Sequence, residues 1–253
     1  AISTSDFAKT LTRYFAQLKD SYYNFRRRNT SLPILHDLRR SFKYKITEIG
    51  PSTVTKRLTE IKIKKELKKL GFKDFNLSII DHHTAHAASA AYTSGFSKAL
   101  VITLDGIGDG LSGSTSIFEN GEIERISSIS GKDSLGIFYE QVTSLLNMRE
   151  LEDEGKVMAL ASYSNAIPES KNKMIGFFDV NGMNIRSKHN VVQRYKELKK
   201  ILWNTSPEQF AYMAQSTLEK HMVDLFRNFI EHTGLKDVCW SGGVASNIKA
   251  NQK

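Results

Sequence analysis

The sequence predicts an α/β fold preceded by a basic helical segment, and three observations carry that reading. Residues 1–75 show apolar residues at helical spacing and no convincing strand. From Asp74 onward, short β-branched runs alternate with helical ones. Two of those runs end in glycine-rich turns, Asp105-Gly106-Ile107-Gly108-Asp109-Gly110 and Ser241-Gly242-Gly243.

The elements follow in order. A helix is expected over 5–25, with Ser5 as N-cap and Phe7, Leu11, Tyr14, Phe15 and Leu18 recurring at helical spacing. Pro33 breaks it, and a second basic helix is expected over 34–44. A third, over 51–70, has Pro51 near its start, Gly71 at its end and one stripe of Val54, Leu58, Ile61, Leu67 and Leu70. A short strand over 75–80 leads into a small-residue helix that Gly95 closes. Strands over 99–104, 112–118 and 122–129 form a meander, the last two joined by the hairpin signal Asn120-Gly121. Helices are expected over 134–146 and 155–163, then a hairpin around Asn181-Gly182 and a helical piece over 195–202. Ser206 caps a long amphipathic helix over 207–233 with Gly234 after it. A buried-type strand over 238–240 and a helix from Val244 to Lys253 complete the chain.

At 253 residues, with 40% hydrophobic and 25% charged residues, the chain can form one large domain or two small ones. The net charge of +9 is uneven: residues 1–75 carry 18 Lys+Arg against 7 Asp+Glu, the remainder 18 against 20. Basic stretches such as Arg26-Arg27-Arg28 face nucleic acid, an acidic partner or a phosphorylated substrate, or else form a solvated helix face. No nucleic-acid motif accompanies them, so a nucleic-acid partner is not expected. Neither a membrane-length apolar run nor a signal-peptide pattern is present. Cys239 is the only cysteine, which excludes an intrachain disulfide and fits a cytoplasmic setting. The chain opens without a start methionine and closes inside an expected helix, as a fragment of a longer protein would.

Chemistry concentrates in two stretches. In Asp81-His82-His83-Thr84-Ala85-His86, a helical turn projects His82 and His86 from one face, so two imidazoles can bind one metal ion. In the glycine-rich turn after residue 104, backbone N–H groups can approach phosphate oxygens. A metal pair beside such a loop suggests metal-assisted chemistry on a nucleotide.

Five motifs, in order, resemble the O-carbamoyltransferase family of NodU/CmcH type: His82 to Ala90, Leu104 to Gly110, Asp133 to Tyr139, Glu154 to Tyr163 and Ser241 to Asn247. The resemblance implies an actin/hexokinase-like ATPase fold of two related lobes, TsaD-like, present here in part. Residues 1–75 would be a helical basic segment of the first lobe, 76–98 the end of that lobe with the histidine helix, and 99–253 a truncated second lobe. It further implies ATP, carbamoyl phosphate and a small-molecule hydroxyl acceptor, with carbamoyladenylate made in a YrdC-like domain elsewhere in the longer protein. His82 and His86 match the family's metal pair and Asp105 its third ligand, with Fe(II) the first choice of ion and Zn or Mn the alternatives. Gly106, Gly108 and Asp109 match the second-lobe phosphate loop, and Gly242, Gly243 and Asn247 the adenosine loop. Lys156 is either a phosphate contact or an ion-pair partner of its acidic neighbours. Two alternatives stay open: TsaD-like threonylcarbamoyl transfer to tRNA, and a non-catalytic nucleotide-binding module. The fragment alone is expected to be inactive.

Overall fold

The computed structural model describes residues 4–15, 45 and 48–253. The helix expected over 34–44 and the second half of that over 5–25 lie outside the described residues. The first helix, α1 (Phe7–Tyr14), is capped by Asp6, which accepts from the Lys9 N–H at 2.7 Å, and not by the expected Ser5, which is buried one residue ahead with its N–H on Asp109. Helix α2 (Thr53–Lys69) starts with a reciprocal capping box between Ser52 and Thr55. Its buried residues are Thr55 and Thr59, not the predicted apolar stripe, because the Thr59 hydroxyl meets Thr10 Oγ1 at 3.0 Å and Arg13 at 3.2 Å. Val54, Leu58, Ile61 and Leu70 are exposed.

The run over 75–80 forms no strand beyond an isolated bridge at Ile79. Its alternate residues are only half-buried, so the stretch has no face to commit to a ladder. Helix α3 (His82–Ala91) follows, then strands β1 (Lys98–Gly108), β2 (Leu111–Glu119) and β3 (Glu122–Ser130). Both connections in this meander are two-residue turns with positive φ: Asp109 (51°) with Gly110 (81°), and Asn120 (52°) with Gly121 (81°). Backbone twist of that hand suits antiparallel neighbours, and Asn-Gly and Asp-Gly tolerate it best.

Helices α4 (Leu135–Leu145) and α5 (Glu154–Leu160) come next, α5 tightening into a 3-10 turn at Ala161–Tyr163 where a longer helix was expected. A separate hairpin, β4 (Phe178–Asn181) with β5 (Asn184–Ser187), turns at Gly182 as its sequence predicts. Helix α6 (Val191–Trp203) is longer than expected, because Asn190 and Gln193 form a capping box ahead of it. The long helix α7 (Pro207–Thr233) has the expected Ser206 cap and a left-handed Gly234 at its end. Strand β6 (Val238–Ser241) then lies parallel to β1, giving the sheet order β3-β2-β1-β6. This is the predicted α/β class.

The helix expected after residue 244 is instead two 3-10 turns, Gly243–Ser246 and Ala250–Gln252. Asn247 breaks it: the residue is extended (ψ 92°), and its Oδ1 accepts from the Ala250 N–H at 3.0 Å. Leu100, Ile102 and Leu104 on one face of the sheet join the main core with Phe138, Phe210, Leu218 and Phe229. Ala99 and Val101 on the other join a small cluster with Ala87 and Ala91 of α3. Among the described residues, no helix is long and apolar enough to cross a membrane.

Candidate metal centre

Strand β1 pairs regularly with β2 as far as Leu104, opposite Gly113, and pairs again only at Gly108, opposite Leu111. Asp105, Gly106 and Ile107 therefore stand against Ser112 alone, a bulge that swings Asp105 out of the ladder toward α3. There its Oδ2 lies 2.8 Å from His82 Nε2 and 3.4 Å from His86 Nε2, and the two imidazole nitrogens are 3.1 Å apart. One ligand atom from each side chain falls within 4.8 Å of the other two. Ligand atoms at ordinary bond lengths around a tetrahedral ion are separated by roughly 3.4 Å, so this set needs little expansion to receive one. Two imidazole nitrogens and a carboxylate oxygen suit a borderline divalent ion. The three side chains remain 20%, 30% and 22% exposed (His82, His86, Asp105), leaving one side open to a further ligand.

Burial works to raise the Asp105 carboxyl, but hydrogen bonds from His82, His86 and the Gly106 N–H outweigh it and hold the group far below the usual carboxylate range. The hydrogen bond to Asp105 correspondingly raises His82 against its own burial. Asp105 Oδ1 accepts from the Gly106 N–H at 2.8 Å and from the Gly243 N–H at 3.2 Å. The two predicted glycine turns thus meet at one carboxylate. Close approach explains several glycines: a Cβ on Gly243 would lie 2.7 Å from Asp105 Oδ1, and one on Gly242 2.2 Å from the Leu104 carbonyl. A Cβ on Gly108 would lie 2.0 Å from the His82 ring, so Gly108 makes room for that imidazole.

Helix α3 is pinned by polar contacts. Asp81 caps it through the Thr84 N–H at 2.9 Å and is itself held by the Arg125 guanidinium. Fully buried His83 donates from Nε2 to the Leu111 carbonyl at 3.1 Å, which leaves Nδ1 to accept from Thr103 Oγ1 at 2.8 Å. Burial lowers its pKa and keeps it neutral. Ser241 donates to the His86 carbonyl at 2.8 Å, and the Asp109 carboxylate accepts from the His82 N–H at 2.9 Å.

The remaining predicted residues, Asn247 and Lys156, make their contacts elsewhere. Asn247 is buried and exchanges side-chain hydrogen bonds with Gln215 at 2.9 and 3.0 Å. Lys156 is an exposed side chain paired with Asp153 at 2.9 Å. Residues the sequence reading assigned no role also matter: Ser134 donates to the Asp105 and Gly106 carbonyls at 3.1 and 2.6 Å while capping α4, and Gly136 passes against the Asp105 carbonyl. A serine before a helical run was the visible signal for the first; nothing local marks the second.

A family model for the carbamoyltransferase N-terminus matches residues 14–253. The chain belongs to that family. Among its relatives, an uncharacterized protein of Methanocaldococcus jannaschii is 31% identical over 221 residues, covering 79% of this chain and 36% of its own length. The nodulation protein NolNO of Sinorhizobium fredii is 30% identical over 183 residues, covering 70% and 27%. This carbamoyltransferase N-terminal chain thus spans about a third of the length of the curated relatives it matches. A crystal structure of HypF from T. kodakarensis superposes with a TM-score of 0.43 at 18% identity, over 76% of this chain and 34% of that one.

Proposed function

We propose that the full-length protein is an O-carbamoyltransferase that passes a carbamoyl group, activated as carbamoyladenylate from carbamoyl phosphate and ATP, to a hydroxyl of a small molecule. The observation that carries this reading is the convergence of His82, His86 and Asp105 beside two glycine turns, in a chain of the carbamoyltransferase N-terminus family. His82, His86 and Asp105 would hold a divalent ion, Fe(II) first with Zn or Mn as alternatives, which when bound polarises a carbonyl or phosphate oxygen. The nucleotide would lie along the exposed turn at Gly242 and Gly243, with Gly106 and Gly108 on the facing loop. Asn247 would support that turn through Gln215, and Asp109 would support the facing loop through the His82 N–H. Lys156 is free to exchange its surface partner Asp153 for a phosphate oxygen. In the transfer step the acceptor oxygen bonds to the carbamoyl carbon, the bond from that carbon to the AMP phosphate oxygen breaks, and AMP leaves with the electron pair while the hydroxyl proton passes to solvent. A YrdC-like domain in the longer protein would form the adenylate.

The test follows pyrophosphate release from ATP by the full-length protein, with carbamoyl phosphate and separately with threonine plus bicarbonate. Release with carbamoyl phosphate alone is expected, both in wild type and in His86→Ala, with later consumption of carbamoyladenylate lost in the variant. Release with threonine plus bicarbonate would overturn this reading in favour of threonylcarbamoyl transfer to tRNA. Thermal stabilisation by ATP without release under either condition would mark a non-catalytic nucleotide-binding module.

A further inference from the structure

Asp109 matches the phosphate-loop pattern, yet its surroundings give it other work. It is buried, sits in the left-handed region at φ 51°, and is enclosed by the N-terminal part of the chain. Gly50 packs so closely that a Cβ there would lie 3.2 Å from the Asp109 carbonyl oxygen. One carboxylate oxygen, Oδ2, accepts from the His82 N–H at 2.9 Å; the other, Oδ1, accepts from the Ser5 N–H at 3.0 Å. Ser5 is tied in turn to α2, since Thr10 Oγ1 donates to the Ser5 carbonyl at 3.3 Å and lies 3.0 Å from Thr59 Oγ1. A single side chain therefore joins the first turn of the histidine helix to Ser5, which lies 104 residues before Asp109 in the chain.

We propose that Asp109 is a positioning residue that sets the direction of His82 and makes metal binding depend on docking of the N-terminal segment. The inference rests on the metal reading given above. The two carboxyl oxygens each accept from one N–H group, whereas a carboxamide has a single acceptor oxygen and turns its NH2 toward one of the two donors. The His82 ring has no slack, because Gly108 lies against it on one side and Asp105 on the other. A displacement of the first turn of α3 therefore moves His82 Nε2 directly relative to Asp105 and His86.

The test uses the full-length protein and Co(II), whose visible absorption reports both affinity and ligand geometry. Asp109→Asn is expected to weaken Co(II) binding about 10- to 100-fold, as loss of a supporting hydrogen bond at a metal site does, and to change the absorption bands. Ser5→Pro removes the outer N–H, with Ser5→Ala as the control for the lost hydroxyl, and leaves the Asp109 and His82 side chains in place. Relative to Ser5→Ala it is expected to shift affinity in the same direction by less than Asp109→Asn, and it decides the matter if Asp109→Asn does not fold. Circular dichroism establishes which variants are folded. Unchanged affinity and bands in a folded Asp109→Asn, or in Ser5→Pro where the first is unfolded, overturn the inference while the metal reading stands. A wild type that binds no Co(II) overturns the metal reading and this inference together.

Discussion

On one face of the sheet Leu100, Ile102 and Leu104 meet Phe138, Phe210 and Phe229 in a core of large side chains, while on the other Ala99 and Val101 join a smaller cluster with Phe118, Cys239 and the Ala87 and Ala91 side chains of α3. Each large buried side chain contributes about 1.5–3 kcal/mol through loss of water contact, so the first face holds the fold. The second face has a smaller cluster, in which Phe118 is the one aromatic ring among the fully buried members, and the small side chains of α3 let its backbone come close. There position is set by named polar contacts: His83 to Thr103 and Leu111, Asp109 to the His82 N–H, Ser241 to the His86 carbonyl. The His82, His86 and Asp105 cluster thus sits on the face where directional bonds do most to decide geometry.

That contrast can be broken at several points. Phe138→Ala should cost about 3–5 kcal/mol of stability by opening a cavity on the thick face, seen in urea unfolding; a loss below 1 kcal/mol would mean that face is not the stabilising one. Gly108→Ala should instead leave the core intact and displace the His82 ring, weakening divalent-metal affinity by at least about 10-fold in a calorimetric titration; wild-type affinity would show that His82 has room to move. Thr103→Val keeps shape but strips the partner of His83 Nδ1 and of the Ser114 N–H, so about 1–3 kcal/mol should be lost despite equal volume. On the thick side, His221 is held below its usual pKa by burial. Its folded pKa lies under its unfolded one, so the stability it brings is present above about pH 6.5 and falls as pH drops through the folded value. Wild type should lose more stability than His221→Phe between pH 8 and 5.5, and coincident profiles would refute this. Lys156→Ala should change stability by less than about 0.5 kcal/mol, since its ion pair with Asp153 is exposed; a reduced transfer rate at unchanged stability would then mark a substrate contact.

The thick face was the more legible of the two. Helical spacing in 207–233 and the β-branched run over 99–104 state their burial directly, as do the Asn120-Gly121 and Asn181-Gly182 turns. The histidine pair also shows in sequence, because four-residue spacing places two rings on one side of a helix. Asp105 joins them only through a bulge, which depends on how β1 and β2 pair and leaves no local mark. Asp109-Gly110 has the same hairpin chemistry as Asn120-Gly121, but the neighbouring Gly106 and Gly108 make the whole stretch read as one loop. The failed helix after Gly243 has a similar cause: Asn247 answers to Gln215, a residue 32 positions earlier on another element.

The bonds that complete the centre also fix when it can form. Asp105 receives the Gly243 N–H across 138 residues, and the His86 carbonyl receives Ser241 across 155. During synthesis His82, His86 and Asp105 leave the ribosome before the turn that closes around them. Until β6 docks, the nascent chain holds these side chains loosely, and on the metal reading proposed above tight capture of an ion waits for that step.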